Sequence, residues 1–188
     1  MSEASSALPG ATFEGYVSVK EAGLRGMITL RGDLAEPKLK AAVKNLTGVD
    51  VPKIGNINLK GTKGAAWMSP NELLLLLPYD KAASGVEKLS KALKGSHFLA
   101  VNVSDARAVF QIKGKGTREV LAKISPADLS PDAINPGEIR RTRLAQVAAA
   151  FWMRDQNNFE IVCFRSVASY VFGLLKHSSQ ADSEVGFF

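Results

Sequence analysis

The chain has 188 residues, 24 Lys+Arg against 18 Asp+Glu, and a formal net charge of +6. Hydrophobic residues make up 46% and charged residues 22%, a globular composition that excludes extensive disorder and leaves room for one large or two small cored domains. No apolar run approaches the roughly 20 residues that span a bilayer. Cys163 is the only cysteine, which excludes an internal disulfide and a cysteine-rich metal site.

Residues 1–12 are Ser/Ala-rich and carry no Lys or Arg, so they lack the basic start of a secretory signal. A cytoplasmic protein that engages no membrane is the expectation. The positive surplus is carried by Lys in residues 1–99 (11 Lys, 2 Arg) and by Arg in residues 100–188 (4 Lys, 7 Arg). The lysines fall at spaced positions on helix faces, and no continuous basic stripe with interleaved aromatics marks a nucleic-acid surface. The surplus favours acidic partners or anions by long-range steering.

Taken in chain order, Val17–Glu21 and Met27–Gly32 read as strands, the second ending in a basic residue and glycine. Leu39, Ala42, Val43 and Leu46 repeat at helical spacing, and Gly48 is placed to end that helix. Two strands follow at Ile57–Lys60 and Ala65–Met68, with a turn at Ser69-Pro70-Asn71. Five leucines, Leu73 to Leu77, then read as a strand because Pro78 stops the run. Ala82, Val86, Leu89 and Leu93 form the apolar face of a second helix, with Asp80 as its expected N-cap and Gly95 beyond its end.

The same order then repeats. Val101–Asp105 and Val109–Gly114 are strands, and Thr117 is an expected cap for a helix through Val120, Leu121 and Ile124 that stops at Ser125-Pro126. Ile139–Arg143, Val147–Met153 and Phe159–Phe164 are three further strands. Ser166 is the expected cap of a final helix facing inward through Val167, Val171, Leu174 and Leu175. Three landmarks match at offsets of 82 to 85 residues: Val17 with Val101, Gly32 with Gly114, and Trp67 with Trp152. The expected fold is therefore α+β: two tandem copies of a β-β-α-β-β-β-α unit, with mostly antiparallel sheets, helices packed on them and a pseudo-twofold relation. The copies are placed at 13–98 and 99–177, with a flexible N-terminal tail at 1–12 and a C-terminal tail at 178–188.

Little in the sequence points to catalysis. Cys163 alternates with Val162 and Phe164 in an apolar strand and reads as a small buried hydrophobe. His97 and His177 follow helix ends, and no His, Asp or Glu spacing has the form of a metal site. Gly-x-Ser-x-Gly is absent. Lys113-Gly114-Lys115-Gly116-Thr117 lacks the spacing of a phosphate loop and reads as a helix start. Glu21 and Asp105 occupy matching turns. Trp67 and Trp152 read as core anchors. Arg140, Arg141, Arg143 and Arg165 remain as candidate anion or partner contacts, with Arg141 and Arg143 on one strand face and Arg140 on the other. Phe187 and Phe188 are two aromatics with no place in the repeated pattern, and are candidate partner contacts as well.

The tract Asp105-Ala-Arg107 to Gly114, then Val120 to Leu129, Pro136-Gly137, Arg141-Thr142-Arg143-Leu144, Trp152 and Phe159 to Tyr170 resembles the gamma-subunit family of heterotetrameric sarcosine oxidase. That family is similar in fold to the folate-binding region of the glycine-cleavage aminomethyltransferases. The resemblance runs over about residues 13–177. It implies a non-catalytic subunit of an oxidoreductase that demethylates sarcosine to glycine, forming hydrogen peroxide and 5,10-methylenetetrahydrofolate. It further implies that FAD, FMN, NAD, zinc and tetrahydrofolate belong to the alpha, beta and delta subunits, with alpha the direct contact, and that this chain holds no cofactor, metal or catalytic residue. The alternatives are a free-standing folate-binding aminomethyltransferase-like protein and an unrelated interaction domain with internal duplication.

Overall fold

The computed structural model describes residues 3–188. The chain forms two compact units, one made of residues 24–105 and the other of residues up to 23 together with 106–188. Among the described residues every strand pairing is antiparallel.

In the unit of residues 24–105, β3 (Gly26–Gly32), β4 (Ile57–Lys60), β5 (Lys63–Ser69), β6 (Glu72–Leu77) and β7 (Phe98–Asn102) form a five-stranded sheet in the order β4-β5-β6-β3-β7. The leucine run is strand β6, central in the sheet between β3 and β5 and buried along its length. Helices α1 (Pro37–Thr47) and α2 (Ala82–Ala92) cover one face. Leu39, Ala42, Val43 and Leu89 pack there on Ile28, Leu30, Leu73, Leu75 and Leu77. Gly48 ends α1 with φ +78°, and its N–H donates to the Lys44 carbonyl at 2.8 Å. That left-handed geometry is cheap only without a Cβ.

In the other unit, β1 (Thr12–Glu14), β2 (Ser18–Glu21), β8 (Arg107–Lys113), β9 (Ile139–Leu144), β10 (Val147–Asp155) and β11 (Asn158–Phe164) form a six-stranded sheet in the order β1-β2-β8-β11-β10-β9. Helices α3 (Thr117–Ala122) and α4 (Ala168–Ser178) supply Val120, Leu121, Val171 and Leu175 to a core with Phe110, Phe151, Met153, Phe159 and Cys163. The opposite face of this sheet is also buried at Val109, Ala150, Trp152 and Val162.

The element order β-β-α-β-β-β-α runs through β2 to α2 and again through β7 to α4. Trp67 and Trp152 fall in corresponding strands, β5 and β10, and each of those strands meets the next across an irregular register near its end. The compact units nevertheless differ from contiguous copies at 13–98 and 99–177. The opening strand of each copy completes the sheet of the other: β2 pairs with β8, with Glu21 opposite Phe110, and β7 pairs with β3, with Asn102 opposite Ile28. Local periodicity identifies a strand but carries no information on which sheet edge the strand fills.

The expected side-chain caps differ too. Asp80 and Ser166 lie in short 3-10 turns ahead of α2 and α4, whose caps are Lys81 and Val167. Thr117 begins α3 after a Gly116 cap, and its buried hydroxyl has no hydrogen-bond partner. In all three helices the chain enters through a tight turn that leaves the hydroxyl or carboxylate one position away from the cap.

The chain beyond α4 and the chain before β1 are anchored rather than loose. Ser179 accepts the Tyr16 N–H at 3.1 Å, and Gly15 lies so close to the Ser179 carbonyl that any Cβ there would collide with it. Arg165 donates to the carbonyls of Ser5 and Ser6 at 2.9 and 3.0 Å, while Ala7 and Leu8 pack against the core. These anchors replace the loose packing expected of the tails.

Arg118 is buried on α3, and its guanidinium donates to the carbonyls of Leu129, Ser130 and Ile134 at 2.9, 3.1 and 3.0 Å. It fixes the connection between α3 and β9, which has no sheet to satisfy its carbonyls. Replacing Arg118 with Leu strands these acceptors. We expect a loss of about 3 kcal/mol in stability, measured by urea denaturation. A loss within about 0.5 kcal/mol would mean that the loop does not depend on this side chain.

Candidate docking surface

β9 is an edge strand, paired only with β10. Alternation along it puts Arg141 and Arg143 on the face of Ala150 and Ala148, and Arg140 and Thr142 on the face of Phe151 and Ala149. Arg141 and Arg143 are exposed. Arg140 is half-buried and turned inward: it donates to the Ala133 carbonyl and to the Ile139 carbonyl at 3.1 Å, and pairs with Glu138 at 3.4 Å. Arg140 is therefore a structural residue, and Arg165, which holds the Ser5-Ser6 segment, is another. Arg143 has no ion-pair partner within 4 Å among the described residues.

Phe187 and Phe188 are 79% and 46% exposed and stack edge to face at 5.1 Å. The chain just before them is fixed. Glu119, buried on α3, accepts the N–H groups of Val185 and Gly186 at 2.6 and 2.7 Å. Lys123, one helical turn on, pairs with Glu119 at 3.2 Å, donates to the Tyr16 hydroxyl at 2.9 Å and reaches the Ser183 carbonyl. The aromatic pair is thus presented from a tethered backbone on the helix side of the sheet. Arg141 and Arg143 lie on the opposite face, so the fold does not gather the two candidate features into one site.

Burial alone would raise the carboxyl of Glu119. The two backbone donors and Lys123 outweigh it and hold the group at about 2, against an ordinary value of 4.5. Lys123 is pushed down by burial, but its bonds to Tyr16 and Glu119 dominate and raise it. Burial raises the Tyr16 hydroxyl, and burial lowers Arg118. The Cys163 thiol, 1% exposed, is pushed up to about 11 by burial despite Arg107 nearby, which makes it a poor nucleophile.

The remaining sequence candidates are absorbed locally. Glu21 accepts from the Gly23 N–H at 3.0 Å and the Ser6 hydroxyl at 3.1 Å, and Asp105 accepts from the Tyr79 hydroxyl at 2.7 Å. His177 is exposed within α4. Among the described residues, no group of three or more His, Cys, Asp or Glu side chains is placed to hold a metal ion. Also among them, no helix is long and apolar enough to cross a membrane. Trp152 is fully buried, as a core anchor should be, and its indole N–H donates to buried Glu160 at 3.0 Å, which also pairs with Arg154 at 2.9 Å. Trp67 is only half-buried and lines an open cleft, so the core-anchor reading holds for one tryptophan and not the other. Sequence reasoning missed Arg118, Glu119 and Glu160. The available signal was a charge inside an otherwise apolar helix turn or strand, as in Phe159-Glu160-Ile161-Val162.

The profile of the "Sarcosine oxidase, gamma subunit family" matches residues 31–181. A sarcosine oxidase subunit gamma from an Arthrobacter species is 27% identical over 125 residues, 65% of this chain and 60% of that protein. The chain therefore aligns with only about 60% of the length of such relatives. The heterotetrameric sarcosine oxidase of Corynebacterium sp. U-96 contains a chain of similar fold, with a TM-score of 0.80 and 23% identity over 92% of this chain and 88% of that one. Aminomethyltransferase T of the glycine cleavage system from Bartonella henselae matches with a TM-score of 0.61 and 17% identity, covering 82% of this chain and 44% of that one.

Two outcomes follow from the site. Glu119 sits below its unfolded value, so its contribution to stability is complete above pH about 4.5 and is lost as pH falls toward about 2. Thermal melts between those limits should fall more steeply for the native chain than for Glu119→Gln, and the variant should lose hydrogen-exchange protection at Val185 and Gly186. Equal slopes would remove Glu119 from the role of anchor. For Cys163, a disulfide-exchange reagent should give no labelling of the native chain within minutes and complete labelling in denaturant.

Proposed function

The chain belongs to the sarcosine oxidase gamma-subunit family, and we propose that it serves as the non-catalytic gamma subunit of a heterotetrameric sarcosine oxidase. In this reading the assembly demethylates sarcosine oxidatively to glycine, reduces oxygen to hydrogen peroxide and delivers the one-carbon unit to tetrahydrofolate. FAD, FMN, NAD and zinc, with the folate site, reside in the alpha, beta and delta subunits, and alpha is the surface on which this chain packs. The observation that carries the proposal is the family match over residues 31–181, supported by a fold shared along 92% of the chain with a component of such an enzyme.

The chemistry of the chain's own residues is consistent with support rather than turnover. Removing hydride from an amine needs an electron acceptor held against the methyl group, which side chains alone do not supply. The buried charged residues described in the six-stranded unit are engaged within the chain: Arg118 on three carbonyls, Glu119 on two amides, Glu160 on Trp152 and Arg154, and Glu21 on the Gly23 amide and the Ser6 hydroxyl. What it offers outward is charge on the β9 edge at Arg141 and Arg143, and apolar surface at Phe187 and Phe188. The free-standing folate-binding alternative rests on a likeness of fold alone.

Co-expression with the alpha, beta and delta subunits of the chain's own source, followed by purification through a tag on this chain, tests the proposal. A stoichiometric complex carrying flavin, with sarcosine oxidation present in the complex and absent from the isolated chain, is the expected result. Turnover by the isolated chain, or failure of any flavin-bearing subunit to copurify, would refute it. Arg141→Ala with Arg143→Ala should weaken the complex about tenfold, as should removal of Phe187 and Phe188. Both should leave the melting temperature of the isolated chain within about 1 °C. Unchanged assembly would relocate the interface.

A further inference from the structure

We infer that the cleft beside Trp67 binds a small organic anion with a flat apolar body. The cleft lies wholly within residues 24–105 and encloses about 650 Å³, the size of a small-ligand pocket. Trp67, Pro70, Pro52 and Ile54 form its apolar walls, and Ile54 is 77% exposed. Trp67 stands where β5 meets β6 across an irregular register. A half-buried indole face in such a wall favours a flat ring laid against it.

The loop that forms the far wall is built rather than slack. Asn58 donates to the Asp50 carbonyl at 2.9 Å, the Asn56 N–H to the Lys53 carbonyl at 3.1 Å, and the Trp67 N–H to the Asn56 carbonyl at 3.0 Å. Lys44 pairs with Asp50 at 3.0 Å from the flank of α1. A cleft held open in this way loses little entropy on filling.

Charge decides the class of ligand. Four ionisable residues line the cleft: Asp33, Asp50, Lys40 and Lys53. Asp50 is neutralised by Lys44, and the Asp33 carboxylate is engaged by the Ala35 N–H at 2.8 Å. Among the described residues, neither Lys40 nor Lys53 has a carboxylate within 4 Å. Two lysines therefore line the cleft against one carboxylate that no cation offsets. The net local charge is positive, and an anion beside an apolar ring matches it. The inference concerns residues 24–105 alone and does not depend on the role of the β9 edge or of Phe187 and Phe188.

The full chain, labelled with nitrogen-15, is titrated with 2-naphthoate and, separately, with 2-naphthamide, which has the same rings without the charge. Trp67 and Trp152 are the two tryptophans, so their indole signals are assigned with one Trp67→Phe variant. Trp152, buried and bonded to Glu160, is the internal reference. We expect 2-naphthoate to move the Trp67 signal saturably and leave Trp152 in place. The amide should bind about three- to fivefold more weakly, and Lys40→Met or Lys53→Met should weaken 2-naphthoate by a similar factor. No saturable movement of the Trp67 signal up to the solubility limit would overturn the inference. Equal binding of acid and amide to the unaltered chain would overturn it as well, whatever the variants do.

Discussion

Two adjacent charges on one turn of α3 organise most of what is irregular in the six-stranded unit. Arg118 reaches into the α3–β9 connection and Glu119 reaches the other way, to the backbone beyond α4. Each is buried, and each meets main-chain dipoles as well as, in the case of Glu119, a lysine. Burying an ion is costly, and the cost is offset only when several hydrogen bonds converge on it. The two segments are therefore locked by multiple bonds at once, and neither can detach without stranding a charge in the core. The sheet supplies a platform, and this helix turn decides how the loose ends lie on it.

The buried ions Arg118, Glu119 and Glu160 are engaged by backbone and side chains of the same chain. The surface features that remain differ in kind. Arg141 and Arg143 charge an edge strand that would otherwise invite another strand to pair with it. Phe187 and Phe188 expose apolar area on a fixed stem. The Trp67 cleft combines an indole face with two cations. Only the first two suit a flat protein interface, where charge governs encounter and orientation and buried aromatics govern affinity. In the proposed role as a gamma subunit, those two features would be what a larger subunit reads.

The sequence made legible those features that are local. The leucine strand was readable because Pro78 forbids its extension as a helix, and the end of α1 because Gly48 alone tolerates the left-handed turn. Burial of Cys163 followed from its alternation with Val162 and Phe164. Features that depend on distant segments were hidden. Nothing near Arg140 in sequence predicts that it bonds the Ala133 carbonyl, and nothing near Glu119 predicts Val185. Trp67 and Trp152 occupy matching strands yet differ in burial, because burial depends on what packs above the strand and not on the strand itself. Alternation puts Arg140 and Arg143 on opposite sides of β9, but only the packing of the sheet decides which side faces the core.

The crossing of opening strands between the two sheets has a consequence for how the molecule comes into being. Residues 24–105 include every strand of the five-stranded sheet, so that sheet can close while the rest of the chain is still being synthesised. The six-stranded sheet has no such freedom. Its β1–β2 hairpin precedes the other unit in the chain, and the outer edge of β2 must wait until β8 is made. Pairings of such high contact order are slow to form, and an unpaired edge is exposed to wrong partners in the interval. Lys20 sits in the waiting strand β2, where a charge discourages premature pairing. The order of the elements along the chain thus sets a timetable, in which the unit that bears the candidate docking features is the last to become complete.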